Sequence, residues 1–113
     1  MGIRTRSIAV AAVSAIAIAG AASPALGAKT YTVTTPANSP FSFTGMPKTL
    51  KPGTYTFKYV NKSTIQHNLR VGNKATALIT GGSATVTVRL KKGTVKYVCD
   101  PHATMMKGTI RVK

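Results

Sequence analysis

Side chains that could bind a soft metal ion are few in this chain, and most of them lie close together. The single cysteine, Cys99, is followed by His102, Met105 and Met106 within a segment of eight residues. The second histidine, His67, lies upstream at the start of a different predicted strand. Two imidazoles, one thiolate and a weak thioether are the ligands of mononuclear electron-transfer copper sites. The residue types therefore predict a copper site, provided that the fold brings His67 to the segment after Cys99.

Other chemistries fit these residues less well. A thiol enzyme needs a Cys–His pair, a third orienting group and an oxyanion site, and Asp100 is expected to point away from Cys99 along a continuing strand. A structural zinc site prefers four Cys or His ligands, and the chain holds three such residues. Intramolecular disulfide exchange needs a second cysteine. A buried free cysteine with unrelated histidines is the alternative without a metal.

The charge balance excludes several classes of enzyme. Against 16 Lys and Arg residues the chain has one acid, Asp100, and its formal net charge is +15. Glycoside hydrolysis and two-metal phosphoryl transfer need paired carboxylates, so the sequence excludes both. A length of 113 residues also excludes an enzyme with separate cofactor and substrate domains.

The N-terminal segment has the pattern of a secretory signal peptide. Arg4 and Arg6 precede an almost wholly apolar run over residues 8–19, and small side chains are frequent over 20–28. This order of basic, apolar and small residues is typical of exported proteins, and an N-terminal membrane anchor is the alternative. We expect residues 1–27 to be removed, which leaves one domain over 28–113 with a net charge of +13 and no membrane span. The predicted location is the periplasm, the cell envelope or the extracellular space.

Alternating apolar residues predict strands along the rest of the chain. Tyr55, Phe57 and Tyr59 alternate with threonine and lysine, as expected of a strand with one buried face. Similar patterns, separated by Gly or Pro, lie at 30–34, 41–43, 67–71, 84–90, 94–99 and 109–113. Residues 74–80 hold at most one helical turn. About seven to eight short strands predict an all-β, antiparallel sandwich or barrel.

Three short motifs carry a resemblance to a known family. They are Tyr97-Val98-Cys99-Asp100-Pro101-His102, Met106-Lys107-Gly108-Thr109 and Gln66-His67-Asn68. The spacing of the first is similar to that of plastocyanin and amicyanin, and the second resembles the end of azurin. The chain from about residue 31 onward thus resembles the cupredoxins, the small blue copper proteins. The resemblance implies a Greek-key β-sandwich.

The same resemblance implies a cofactor and a set of ligands. The cofactor is one type 1 copper per chain, with three equatorial ligands and one axial ligand: His67, Cys99, His102 and Met106. Met105 is the alternative axial ligand, because the spacing from the histidine to the methionine varies within the family. Asn68 would tie the two ligand loops together near the cysteine sulfur.

The implied function is one-electron transfer between Cu(II) and Cu(I), so the protein is not expected to be an enzyme. An exported protein that sequesters or delivers copper is an alternative, and a metal-free cationic β-sandwich used for adhesion is another. The net charge favours an acidic redox partner or an anionic envelope surface, because opposite charge steers encounters. Nucleic acid is not expected, because the basic residues are spread along many strands and the aromatic residues occupy inward positions. We expect a monomer.

Overall fold

The computed structural model describes residues 28–113, so the predicted signal peptide over residues 1–27 lies outside the described residues. The described chain has eight strands and one short 3₁₀ helix. The strands are β1 (Lys29–Thr35), β2 (Thr49–Leu50), β3 (Gly53–Asn61), β4 (Arg70–Val71), β5 (Lys74–Ala75), β6 (Gly82–Leu90), β7 (Gly93–Val98) and β8 (Lys107–Val112), and the 3₁₀ helix is Asp100–His102. The all-β prediction is confirmed. Over this part of the chain, no helix has the length and apolar character needed to cross a membrane.

The strands form two sheets with one core between them. The first sheet has the order β1-β3-β6, and the second has the order β2-β8-β7-β4-β5. Phe57 and Val86 from the first sheet and Val71 and Ile110 from the second belong to a single cluster of buried side chains. The two sheets therefore face each other as the layers of a β-sandwich.

Both sheets are mixed rather than wholly antiparallel. β1 runs parallel to β3, and β2 runs parallel to β8, whereas the other strand pairs are antiparallel. A parallel pair needs a long connection, and the connection from β1 to β3 covers residues 36–52 and includes β2 of the other sheet. The expectation of antiparallel strands is corrected at these two edges, because alternation shows which face is buried but not the direction of the neighbouring strand.

The middle strand of the first sheet is buried on more than one face. Tyr55, Phe57 and Tyr59 are buried as their alternation predicts. Thr56, expected on the solvent face, is also buried, and its hydroxyl lies 2.9 Å from that of Thr87 on β6. β3 has a neighbour on each side, so these strands shield a short side chain on its outer face.

The strand ends bring the candidate ligands to one end of the sandwich. β7 ends at Val98, immediately before Cys99, and the connection to β8 covers residues 99–106. β4 pairs with β7 through Arg70 and Val98. The segment that precedes β4, including His67, therefore lies beside this connection.

Three segments differ from the sequence-based expectation. The strand expected over 67–71 is reduced to β4, because His67 instead forms an isolated bridge with Ile79. The apolar alternation at 41–43 lies in a connection, which Thr44 fastens to Thr34 through another isolated bridge. Residues 74–80 begin with β5 and contain no helical turn.

Candidate metal centre

Three donor atoms from two segments of the chain converge at this end of the sandwich. Nδ1 of His67 lies 3.2 Å from Nδ1 of His102. The Cys99 sulfur lies 3.5 Å from the His67 nitrogen and 3.6 Å from the His102 nitrogen. A point equidistant from the three atoms is about 2.0 Å from each, which is the length of a metal–imidazole bond. The donor set therefore fits a single metal ion.

Burial favours the neutral form of the His67 imidazole. His67 is fully buried, and burial, together with the charge of neighbouring His102, lowers its pKa. The Pro40 carbonyl raises this pKa by a smaller amount, although Nε2 of His67 has no hydrogen-bond partner among the described residues. A neutral imidazole is the form that binds a metal.

The Cys99 thiol needs a cation to lose its proton readily. Burial raises the pKa of this thiol, whereas the backbone N–H groups of Asn68 and His102 lower it. A metal ion among the three donors stabilises the thiolate, because a coordinating thiol is deprotonated. Metal binding at this site should therefore release a proton.

Backbone hydrogen bonds fold the connection between β7 and β8 into a tight loop. The His102 amide donates to the Cys99 carbonyl at 3.1 Å, and the Met106 amide donates to the His102 carbonyl at 2.9 Å. The Cys99 amide donates to the Met106 carbonyl at 2.9 Å. These bonds hold the backbone of all three residues in one compact loop.

The two adjacent methionines of this loop differ sharply in exposure. The Met106 side chain is 1% exposed and that of Met105 is 58% exposed. Cys99 and His67 are also fully buried, so Met106 shares the buried environment of two of the three donors. Burial favours Met106 over Met105 as the axial ligand.

The only acid of the chain connects the two segments that carry the donors. The Asp100 carboxylate accepts hydrogen bonds from Arg70 at 2.9 and 3.0 Å and from Asn68 at 2.8 Å, and the Asp100 amide donates to the Asn68 side-chain oxygen at 2.8 Å. The hydrogen bonds from Arg70 and then Asn68 hold the Asp100 pKa below its ordinary value. The expected direction of Asp100 depended on a strand that continues past Cys99, but β7 ends at Val98 and the 3₁₀ helix turns the chain.

Phe41 covers the two imidazoles. Its ring centroid lies 6.0 Å from that of His67 and 5.1 Å from that of His102, edge-to-face in both cases. The side chain is 40% exposed, so the inward position expected for it is wrong. Its segment is a connection rather than a strand, and only Phe43 of that apolar pair packs against the core.

A comparison with protein families identifies the family of the chain. Residues 29–113 match the copper binding proteins of the plastocyanin/azurin family. The chain belongs to the cupredoxins. The resemblance based on three motifs is thus confirmed over nearly the whole described domain. A comparison with curated proteins finds no match.

Solved cupredoxin structures share the fold. Auracyanin A, a "blue" copper protein from the green thermophilic photosynthetic bacterium Chloroflexus aurantiacus, has a TM-score of 0.65 at 20% identity over 77% of this chain and 100% of its own. Reduced auracyanin from the photosynthetic bacterium Roseiflexus castenholzii has a TM-score of 0.62 at 21% identity over 77% and 99%. A variant of amicyanin in the Cu(I) state has a TM-score of 0.55 at 19% identity over 74% and 82%.

Family and donor set agree on the cofactor of this cupredoxin. Within residues 28–113, the cluster of His67, Cys99 and His102 is the only group of three or more His, Cys, Asp or Glu side chains that could hold a metal ion. Thiolate and imidazole together suit copper. The prediction of one type 1 copper per chain is confirmed.

Proposed function

We propose that this cupredoxin is a one-electron carrier, with His67, Cys99 and His102 as equatorial ligands and Met106 as the axial ligand. The convergence of three donor atoms around a point about 2.0 Å from each supports this proposal most strongly. Bound copper supplies the Cu(II)/Cu(I) couple. The proposed role includes no substrate turnover, so the protein is not an enzyme.

The backbone around the site limits movement of the ligands. Three hydrogen bonds close the loop that begins at Cys99, and the Asn68–Asp100 contacts fasten this loop to the segment after His67. Ligands held in one arrangement move little when the oxidation state changes, so little reorganisation energy opposes electron transfer. Burial of His67 and Cys99 also keeps water away from two of the donor atoms.

His102 is the proposed route of the electron to the surface. It is the only partly exposed residue among the three donors. Pro101 and Ala103 on either side of it are exposed, as are Phe41 and Met105. A partner that docks on these apolar side chains would approach the edge of the imidazole directly.

The visible spectrum of the full chain loaded with Cu(II) tests the proposed ligands. We expect one copper per chain and an intense thiolate-to-Cu(II) band. Cys99→Ser should remove the band, and His67→Ala should weaken or abolish copper binding. Thr94→Ser, at the opposite end of β7, is a control that should retain both. Copper binding by the wild type without this band contradicts the electron-carrier proposal.

Sequestration or delivery of copper is the alternative use of the same site. Full burial of His67 and Cys99 disfavours rapid transfer of the ion to another protein. An electron carrier should be reduced reversibly at a defined potential without losing copper. A delivery protein should pass copper to an apo-acceptor, and a metal-free adhesion protein should bind none.

Export is part of the proposed function. We propose that residues 1–27 are a signal peptide and that the mature protein acts in the periplasm, the cell envelope or the extracellular space. The intact mass of the protein from its native host should correspond to loss of the first 27 or 28 residues. A mature species that retains Arg4 and Arg6 would contradict the proposal.

The proposed partner of this carrier is an acidic redox protein or an anionic envelope surface, and the carrier itself is a monomer. The charge of Asp100 is paired with Arg70, and no other acidic side chain is present in the sequence. The remaining Lys and Arg side chains of the described residues are exposed. A surface of one sign attracts partners of the opposite sign.

A further inference from the structure

A carboxylate stands beside the proposed copper thiolate, although the chain contains no other acid. Asp100 immediately follows Cys99 and precedes His102 by two positions. A negative charge near a copper ion stabilises Cu(II) over Cu(I), because the oxidised ion carries one more positive charge. An uncompensated Asp100 would therefore lower the reduction potential of the site.

Arg70 compensates this charge from the other ligand-bearing segment. Its Nε donates to one carboxylate oxygen of Asp100 at 2.9 Å, and its Nη2 donates to the other at 3.0 Å. The two side chains are 40% and 41% exposed, and an ion pair this exposed adds little to folding stability. The ion pair should therefore act mainly by holding two segments of the chain together and by changing the charge near the site.

Asn68 completes the connection between the two segments. It lies next to His67 and is nearly fully buried. Its Nδ2 donates to Asp100 at 2.8 Å, and its side-chain oxygen accepts from the Asp100 amide at 2.8 Å. The residue after one ligand is thus bonded twice to the residue after Cys99.

The number of hydrogen bonds that this side chain must accept explains why an acid occupies position 100 in so basic a chain. Asp100 accepts one hydrogen bond from Asn68 and two from Arg70. A carboxylate has two acceptor oxygens and can receive a bidentate guanidinium, whereas an amide has one acceptor oxygen. A neutral asparagine could not make all three contacts, so the connection between the two segments requires a negative charge at this position. A nearby positive charge is then needed to offset the effect of this negative charge on the copper.

On the basis of the proposed copper function, we propose that Arg70 and Asp100 are positioning residues that form a neutral clamp. The carboxylate fastens the loop that carries Cys99 and His102 to the segment after His67. The guanidinium completes this connection and cancels the effect of the carboxylate charge on the copper.

Reduction potentials test the charge compensation. In the copper-loaded full chain, Arg70→Gln is expected to lower the potential, because it leaves the carboxylate unpaired. Asp100→Asn is expected to raise it, because it leaves the guanidinium unpaired. The double variant removes both charges and should return toward the wild-type value. Arg89→Gln removes the same charge from an exposed position on β6 and should change the potential much less than Arg70→Gln.

Amide hydrogen exchange in the copper-free full chain tests the clamp without any redox measurement. The Asp100 amide is bonded to Asn68, and it should exchange several-fold faster in Arg70→Gln and in Asp100→Asn. Arg70→Lys keeps the positive charge but cannot form the bidentate contact. This variant should keep a potential close to that of the wild type and still show faster exchange.

The outcomes separate the two roles of the pair. Equal shifts of potential in Arg70→Gln and Arg89→Gln, or shifts of the same sign in Arg70→Gln and Asp100→Asn, would overturn the charge compensation. Unchanged exchange in Arg70→Gln and Arg70→Lys would overturn the clamp. If Arg70→Gln does not bind copper, the reduction potentials of Asp100→Asn and Arg70→Lys are compared instead. A potential of Asp100→Asn that is equal to or lower than that of Arg70→Lys would overturn the charge compensation. If the wild type shows no reversible Cu(II)/Cu(I) couple, the proposed function is wrong. The amide hydrogen exchange measurements would still test the clamp.

Discussion

At the scale of single residues, the adjacent methionines offer a matched pair of substitutions. Met106→Leu is expected to raise the reduction potential, because loss of a weak axial donor destabilises Cu(II) more than Cu(I). Each tenfold change in relative affinity corresponds to about 59 mV for a one-electron couple. Met105→Leu should have little effect, because the Met105 side chain is 58% exposed. Voltammetry of both copper-loaded variants checks the assignment, and the reverse pattern would make Met105 the axial ligand.

The residues of the site were not equally accessible to sequence reasoning. The residue types and the close spacing of Cys99 and His102 indicate a copper site, and the resemblance to the cupredoxins implies that these two residues and His67 are ligands. Arg70 was missed, because its contact with the acid depends on how β4 is aligned with β7. Phe41 was placed inward, because an apolar alternation in a connection looks the same as one in a strand. Local motifs and the family resemblance therefore indicate the donors, whereas the residues around them depend on tertiary structure.

At the scale of elements, the strands with long alternating patterns were predicted well. β3 and β6 pair over nine residues, and each has regular inward apolar positions. β2 has two residues and shows no pattern in the sequence. The sequence also does not predict that β1 runs parallel to β3 and β2 runs parallel to β8, because these directions depend on the path of the connection between β1 and β2. Periodicity thus indicates the buried face of a strand but not which strands pair with it or in which direction.

A glycine in that connection provides a test of its packing. Gly45 has a φ of +88°, and a Cβ at this position would lie 2.5 Å from the carbonyl oxygen of Thr32. Gly45→Ala is expected to reduce the free energy of unfolding by about 2 kcal/mol or more, because the left-handed conformation and the close contact both oppose a side chain. Urea denaturation of the copper-free full chain measures the loss.

Gly81→Ala is the matched control for this substitution. Gly81 does not have a φ in the left-handed region, and a Cβ there would meet no atom within 4 Å. Its free energy of unfolding should stay within about 0.5 kcal/mol of the wild type, as is usual for a surface change. A similar loss in both variants would show that the close packing at Gly45 does not determine the result.

At the scale of the whole molecule, basic side chains lie at both ends of the sandwich, and only one end carries the copper site. Lys62 follows β3, and Lys107 begins β8 immediately after the ligand loop, so both lie at the copper end. Lys51 precedes β3, and Lys91 follows β6, so both lie at the opposite end. All four side chains are exposed. Substitutions at the two ends can therefore separate the effect of net charge from the effect of charge near His102, the proposed route of the electron.

The rate of electron transfer to an acidic acceptor should fall as the salt concentration rises from about 10 to 200 mM, and the rate to a cationic acceptor should rise. The screening length shortens from about 30 Å at 10 mM to about 8 Å at physiological salt, so charges near the point of contact dominate the encounter.

Lys62→Gln/Lys107→Gln should therefore weaken the salt dependence more than Lys51→Gln/Lys91→Gln, although both double variants lose the same net charge. Stopped-flow measurement with each acceptor gives the slopes. Equal slopes in the two double variants would mean that net charge alone guides the encounter, and wild-type rates that do not change with salt would mean that the basic surface does not guide it.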